Sequence, residues 1–343
     1  MSISDDRPLR VWLPAIRAGS GSDVFTERLA AALKRAGHDP ILQWFRHSTE
    51  FFPDIVRRVP TPAGVDIIHT GSTLGHALAG RDAPLVVTEH QYIRHPAFLP
   101  QRSLQKVLYH NVVLYRSMRA SLKRADAVVA VSEHTADAME ADIGTRPRVI
   151  HNWVDHEQFY PRASYLRGGG GPLRLLFVGN PSRWKGADVL PELASRVVQF
   201  AEIDCLGGLR REFPSTMAVG NIRQLARLPP SGMRAAYAGA DVVVVPTRYE
   251  AFGYVALEAM ACGLPVIGFD STGTAEVCVD GVTALLAPVN DVERLAAHAR
   301  ALLDPALRRR LGEAGRIRAI EYFSEARAVQ AYISVYRELL RAT

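Results

Sequence analysis

Four consecutive glycines, Gly168 to Gly171, divide this chain into two halves that start the same pattern twice. Glycine loses the most backbone freedom on ordering and buries nothing, so no packed element would choose such a run. It reads as an interdomain linker over 163–171. On either side of it, short β-branched runs alternate with helical periodicity, which argues for parallel sheets with crossover helices. At 343 residues the chain also exceeds what one compact core usually serves. The expectation is an α/β protein of two Rossmann-like doubly wound domains, 1–162 and 172–320, facing a central cleft. Ligands of such sheets sit at the carboxyl ends of the strands, so the cleft is the expected site.

In the first half, Leu9 to Ile16 reads as a strand, followed by the Gly/Ser loop Gly19-Ser20-Gly21-Ser22 and an amphipathic helix from Val24 to Arg35. Gly37 and Pro40 stop that helix. Further strands are read at Val65 to His69, Leu85 to Thr88, Ala127 to Val131 and Arg148 to His151. After the linker, strands are read at Leu173 to Gly179, Ile203 to Leu206, Asp241 to Val245, Pro265 to Phe269 and Ala284 to Ala287.

The formal net charge of +6 favours anionic partners such as nucleotide phosphates, although a dispersed basic surface is the commoner explanation of such a surplus. No nucleic-acid recognition motif or aromatic-basic interleaving is found, so nucleic acid is not an expected partner. Cys205, Cys262 and Cys278 match no zinc spacing and suit free thiols in a reducing compartment. The N-terminus MSISDDRPLR lacks the apolar region of a signal peptide. The longest apolar runs, such as Val242 to Pro246, fall far short of the roughly 20 residues that a membrane span needs. A cytoplasmic protein is expected.

The strongest chemical signal is VVVVPTRYEAFGYVALEAMACGLPVI, Val242 to Ile267. A buried strand runs into a short polar loop, and a helix starts near Phe252-Gly253. A helix N-terminus attracts a phosphate through its unpaired N–H groups and dipole. Glu250 just before it and Glu258 inside it are oddly placed for phosphate alone, because like charges repel. They make sense as acceptors of hydrogen bonds from the sugar hydroxyls that flank a diphosphate. Gly253 then lets the backbone approach the ligand. In FVGNPSRWKGADVL, Phe177 to Leu190, a strand ends at Gly179 and a loop carries Arg183 and Lys185. Two cations there suit a diphosphate leaving group, on which negative charge grows as the glycosidic bond breaks. The loop Gly19, Ser20, Gly21 suits close approach to donor phosphate or sugar; a plain turn would explain it equally. No Asp-x-Asp and no His/Cys/Asp cluster at metal-ligand spacing occurs, so no metal and no cofactor is expected.

The segment Val242 to Ile267 closely resembles the donor motif of family 4 glycosyltransferases, whose two glutamates are separated by seven residues, as Glu250 and Glu258 are. ADAVVAVS (Ala125 to Ser132), VIHNWVDHEQF (Val149 to Phe159) and the chain end EYFSEARAVQAYISVYREL extend the resemblance over nearly the whole chain. It implies the GT-B fold, with the helix of 321–343 packing back on the first domain, and a retaining, metal-independent sugar transfer. It gives Glu250 the hydroxyls of the transferred sugar and Glu258 the ribose. Backbone N–H groups near Ala251, Phe252, Gly253 and Tyr254 would hold sugar and phosphate oxygens. His90, after the strand Leu85 to Thr88, would contact sugar and leaving phosphate. His90, Arg183, Lys185 and Glu250 form the expected catalytic set. The family commonly has an arginine directly after the glycine, where this chain has Asn180, and Arg183 is read as its substitute. Asn221 to Leu225, after a short strand near Val219, falls where the family lines its nucleobase pocket.

No carboxylate stands out as a nucleophile for double displacement. The expected reaction is same-face attack, in which the acceptor hydroxyl approaches as the diphosphate leaves and a phosphate oxygen takes its proton. The donor is expected to be a UDP- or GDP-sugar. The acceptor would be a glycan, a lipid-linked sugar or a small molecule, with bacterial surface polysaccharide or lipopolysaccharide assembly as the setting. The stretch Arg102 to Ala125 reads as an amphipathic basic helix that would serve either as core packing or as a peripheral membrane contact. Two other functions stay open: a GT-B sugar-nucleotide epimerase, and a non-catalytic nucleotide-sugar-binding subunit.

Overall fold

The computed structural model describes residues 7–101, 107, 109–161, 171–207, 220–226 and 228–342. The expected linker lies outside them except for Gly171. The chain forms two compact units, Met1–Asn152 with Glu325–Thr343, and Trp153–Ser324.

The first unit contains β1 (Arg10–Ile16), α1 (Gly21–Arg35), β2 (Asp39–Phe45), β3 (Ile67–Gly71), α2 (Gly75–Leu78), β4 (Leu85–Glu89), α3 (Tyr115–Arg124), β5 (Ala127–Ala130), α4 (Glu133–Ile143) and β6 (Arg148–Val149). Its six strands are all parallel, in the order β2-β1-β3-β4-β5-β6. β2 is a strand that the sequence pattern does not announce, because Pro40 reads there only as a helix stop. Pro40 lacks an N–H to donate, but β2 is an edge strand, where one side of the ladder needs no partner. α1 also starts earlier than expected, at Gly21. Trp12, Leu74, Leu78, Val87, Met118, Leu122 and Met139 are buried in one cluster on this sheet. Of the basic helix read at Arg102 to Ala125, residues 102–106 and 108 lie outside the described residues. In the rest, Met118 and Leu122 face the core while Arg116, Arg119, Lys123 and Arg124 are exposed.

The second unit contains β7 (Leu173–Gly179), α5 (Leu190–Val197), β8 (Ala201–Gly207), β9 (Ile222–Leu225), α6 (Met233–Ala238), β10 (Val242–Val245), α7 (Tyr254–Ala261), β11 (Val266–Phe269), α8 (Thr272–Val277), β12 (Ala284–Ala287), α9 (Val292–Ala301) and α10 (Pro305–Tyr322). Its parallel strands run β12-β11-β10-β7-β8-β9. The chain therefore winds outward from β7 in one direction and, from β10, in the other. The loops that follow β7 and β10 meet at this reversal, the place where open α/β sheets bind ligands. Leu175, Phe177, Leu193, Ile203, Val244, Ile267, Phe269 and Leu295 form the core. Cys205, Cys262 and Cys278 are buried free thiols, and burial pushes each up to about 12, so none is a thiolate near neutral pH.

The last helix, α11 (Glu325–Ala342), belongs to the first unit. Arg35 pairs with Glu325 at 2.6 Å, and buried Tyr332 and Tyr336 reach the strands. His69 bridges the Tyr336 hydroxyl at 2.6 Å and the Thr88 hydroxyl at 2.7 Å. Burial lowers the His69 imidazole to about 3, so this relay is built on a neutral ring.

Candidate functional site

β10 is four buried valines, which end at Pro246 and release a loop of mixed character. Tyr249 and Phe252 turn inward, and Phe252 packs edge-on against Tyr254 and Phe323 at 5.5 and 5.7 Å between ring centroids. Those anchors leave Glu250 and Ala251 half-buried at the surface of the unit. Gly253, at φ +103°, makes the left-handed step into α7, a conformation that a Cβ would oppose. α7 thus begins at Tyr254, and Glu258 lies in its second turn. The hydroxyl of fully buried Tyr237 donates to Glu258 Oε2 at 3.0 Å, and the Tyr237 ring stands edge-on to Phe159.

Next to this loop, β7 ends at Gly179 and the chain tightens through a 3₁₀ turn at Arg183–Lys185 and another at Ala187–Val189. Gly186 between them has φ +73°, and a Cβ there would lie 1.9 Å from the Pro246 carbonyl oxygen. Only glycine lets the two loops come this close. Lys185 Nζ forms an ion pair with Glu250 Oε2, both side chains about a fifth exposed. Two residues singled out for different parts of a donor thus meet each other. Arg183 is exposed on the same turn.

Arg248 holds this arrangement together, and the sequence reading passed over it. Its buried guanidinium donates to Asp188 at 2.7 and 2.9 Å, to Asn290 Oδ1 at 2.6 Å and to the Arg183 carbonyl. Its N–H donates to the Trp184 carbonyl at 2.8 Å. A third loop supports the one that follows β10: Ser271 donates to the Thr247 carbonyl, and Thr272 Oγ1 accepts the Glu250 N–H at 2.9 Å. Position 248 was visible only as a cation two residues before a glutamate, and Ser271-Thr272 as a polar pair after a strand.

In the first unit, His90 follows β4 and lies 4.4 Å, centroid to centroid, from the Phe25 ring of α1. Burial pushes its imidazole down to about 4, so it is neutral at pH 7 and offers one donor and one acceptor rather than a charge. The loop Gly19, Ser20, Gly21 is closed by the buried Asp23. Asp23 Oδ2 accepts the Ala18 and Gly19 N–H groups at 3.0 and 2.8 Å, and Ser20 donates to Oδ1. A carboxylate of the protein already occupies those amides, and Ser20 and Gly21 lead directly into α1. Asn221 to Leu225 departs from its sequence reading: Ile222–Leu225 is the edge strand β9, with Arg223 paired to Asp204, and Val219 lies outside the described residues. Among the described residues no group of three or more His, Cys, Asp or Glu is placed to hold a metal ion, and no helix is long and apolar enough to cross a membrane.

The family described as Glycosyl transferases group 1 matches residues 172–305, and Glycosyltransferase Family 4 matches residues 44–158. The chain belongs to the family 4 glycosyltransferases. Arg183, Lys185, Glu250 and Glu258 lie inside the first match and His90 inside the second, while the Gly19 loop lies outside both. The alpha-maltose-1-phosphate synthase of Mycolicibacterium smegmatis is 33% identical over 259 residues, 64% of this chain and 65% of that protein. The D-inositol 3-phosphate glycosyltransferase of Saccharomonospora viridis is 30% identical over 316 residues, 81% of this chain and 66% of that protein. The chain thus spans somewhat less than two thirds of the length of these curated relatives. Sucrose-phosphate synthase of Thermosynechococcus elongatus superimposes with a TM-score of 0.82 at 22% identity, covering 97% of this chain and all of that one. HepE of Anabaena, solved with UDP and glucose, gives 0.74 at 17% identity over 96% of this chain and all of its own. Two six-stranded parallel sheets with this likeness make the fold GT-B.

Proposed function

We propose that this glycosyltransferase moves a sugar, with retention of configuration, from a nucleoside-diphosphate sugar to an acceptor hydroxyl. The observation that carries the reading is the Lys185–Glu250 pair at the reversal of the second sheet, with Glu258 held by Tyr237 in the helix that follows. A cation, two carboxylates and a helix start in one place match the charge pattern of a diphosphate flanked by two polyols. UDP is favoured over GDP as the nucleotide, because HepE of similar fold is complexed with UDP and glucose.

In the proposed reaction the acceptor oxygen attacks the anomeric carbon from the face that the diphosphate is leaving. The anomeric C–O bond to phosphate breaks with its electron pair going to the β-phosphate, and a phosphate oxygen takes the acceptor proton. Lys185 and Arg183 stabilise the charge that grows there, which supplies neutralisation without a metal. Glu250 accepts hydrogen bonds from the transferred sugar and Glu258 from the ribose, while the Phe252–Tyr254 backbone N–H groups donate to sugar and phosphate oxygens. His90, being neutral, contributes a hydrogen bond to the sugar rather than a counter-charge. Surface polysaccharide or lipopolysaccharide assembly is the setting proposed for the acceptor.

Thermal stability in EDTA against UDP, GDP, ADP, dTDP and CMP sugars tests the donor site. A ligand that binds the folded state raises the melting temperature by mass action. A shift from one nucleotide class, abolished by Glu258→Ala, is expected. No shift from any of them overturns the reading.

A further inference from the structure

Two described non-glycine residues have positive φ, and one of them is β-branched: Thr272, at +32°. A β-branched residue in that region is a genuine outlier, and such strain persists only where its surroundings impose it. What the strained turn holds is Glu250. Thr272 Oγ1 accepts the Glu250 N–H at 2.9 Å, and the Gly273 N–H donates to the Glu250 carbonyl at 3.0 Å. Both backbone polar groups of Glu250 are therefore fixed by two consecutive residues. Ser271, at the N-cap of α8, gives its own helix no side-chain cap, although capping is the usual service of a serine there. Its hydroxyl goes instead to the Thr247 carbonyl. The approach is as close as backbone allows: a Cβ on Gly273 would lie 2.5 Å from the Phe252 carbonyl carbon.

From this we infer that Thr272 is a positioning residue for Glu250, spending backbone strain and a hydroxyl to set where the Glu250 carboxylate stands. The inference rests on the proposed role of Glu250 toward the transferred sugar. Thr272 acts through the Glu250 backbone and need not touch the donor. Displacement of a ligating group by an ångström costs recognition steeply. The sugar half of the donor is what Glu250 addresses, so loss of Thr272 Oγ1 weakens recognition of the sugar and leaves the nucleotide half alone.

Three variants separate this from a structural role. Thr272→Val keeps the branch and removes the hydroxyl, Thr272→Ser keeps the hydroxyl, and Thr272→Gly removes the hydroxyl while relieving the positive φ. Each is assayed for binding of UDP, GDP, UDP-glucose and GDP-mannose, for turnover of the nucleotide sugar that the wild type prefers, and for melting temperature. Val and Gly are expected to weaken nucleotide-sugar binding about five- to tenfold and to leave the bare diphosphate within about twofold, with Ser near wild type. The Gly variant guards against a folding defect, since it should melt no lower than Val. Equal weakening of sugar-bearing and bare nucleotides, wild-type sugar affinity in Gly, or failure of Ser to restore binding overturns the positioning role. A wild type that binds no nucleotide, or that gains nothing from the sugar, instead sinks the donor reading itself.

Discussion

Replacing Arg248 by methionine removes the strut between the two loops of the site and preserves most of the side chain's volume. The guanidinium is 8% exposed and makes four side-chain hydrogen bonds, three of them to Asp188 and Asn290. Breaking a buried ion pair costs about 3–5 kcal/mol when the orphaned charge stays buried. Asp188 is 47% exposed and can rehydrate, which places the loss lower, while Asn290 Oδ1 and the Arg183 carbonyl lose a charged donor. A destabilisation of about 2–3 kcal/mol is expected. For a unit of this size that corresponds to a fall in Tm of about 4–12 °C. Turnover should fall further than folding requires, because the carbonyl of Arg183 and the turn that carries Lys185 lose their anchor. Calorimetry with and without donor, alongside initial rates at saturating donor below the variant's transition, measures both. A variant within about 0.5 kcal/mol of wild type with unchanged kcat would refute the assignment of Arg248 as the strut.

Tyr237→Phe keeps the ring against Phe159 and deletes the bond to Glu258, so the Kd for the nucleotide should rise about three- to tenfold with kcat nearly unchanged; an unchanged Kd counts against Glu258 as a ribose ligand. His69 has its pKa depressed to about 3, so between pH 6.5 and 3 the unfolded chain binds a proton that the folded one refuses, and stability falls as pH falls through that window. By pH 5 the loss should reach about 2 kcal/mol, and His69→Gln, though less stable at pH 7, should show a flatter decline; equal slopes would contradict the neutral relay. Lys185→Ala and Glu250→Ala should be non-additive in kcat/KM, since the two side chains are in contact, and strict additivity would mean that the pair has no role in the reaction. Because Met118 and Leu122 are already buried, any attachment of α3 to anionic vesicles should be electrostatic and lost by physiological salt; attachment that survives salt would show an apolar surface that the fold does not offer.

The features that were legible in the sequence are those in which one short segment carries the whole signal. The valine run before Glu250 and the seven-residue spacing to Glu258 are local, and each has a local physical reason. The two-fold repetition of strand, loop and helix was equally plain, because parallel strands buried on both faces must be apolar throughout. The edge strand β2 was hidden by Pro40, a residue that reads as a breaker until it is known that the strand has a neighbour on one side only. β9 was hidden for a related reason: Arg223 looks like a surface cation, yet its partner is the buried Asp204 on β8. Arg248, Tyr237 and Thr272 left no mark, since each acts on a residue 20 or more positions away and two of them partly or wholly on backbone atoms. A side chain whose partner is a carbonyl or an amide has no complement in the sequence to give it away.

The same distinction explains how the site is built. Arg183, Lys185 and Glu250 sit on loops, and loops at a sheet's topological reversal are held by little of their own. Here three loops lock one another: Gly186 against Pro246, Arg248 across to Asp188, and Thr272 onto Glu250. Lys185 and Glu250 end up paired at the centre of these supports. A donor that engages both must replace that contact with one of its own, a phosphate for the ammonium and hydroxyls for the carboxylate. A fragment offering only one of these leaves the other charge without its counterpart, partly out of water, at a cost of about 1–3 kcal/mol. The pair therefore favours a ligand that carries phosphate and sugar together, and discriminates against either half alone.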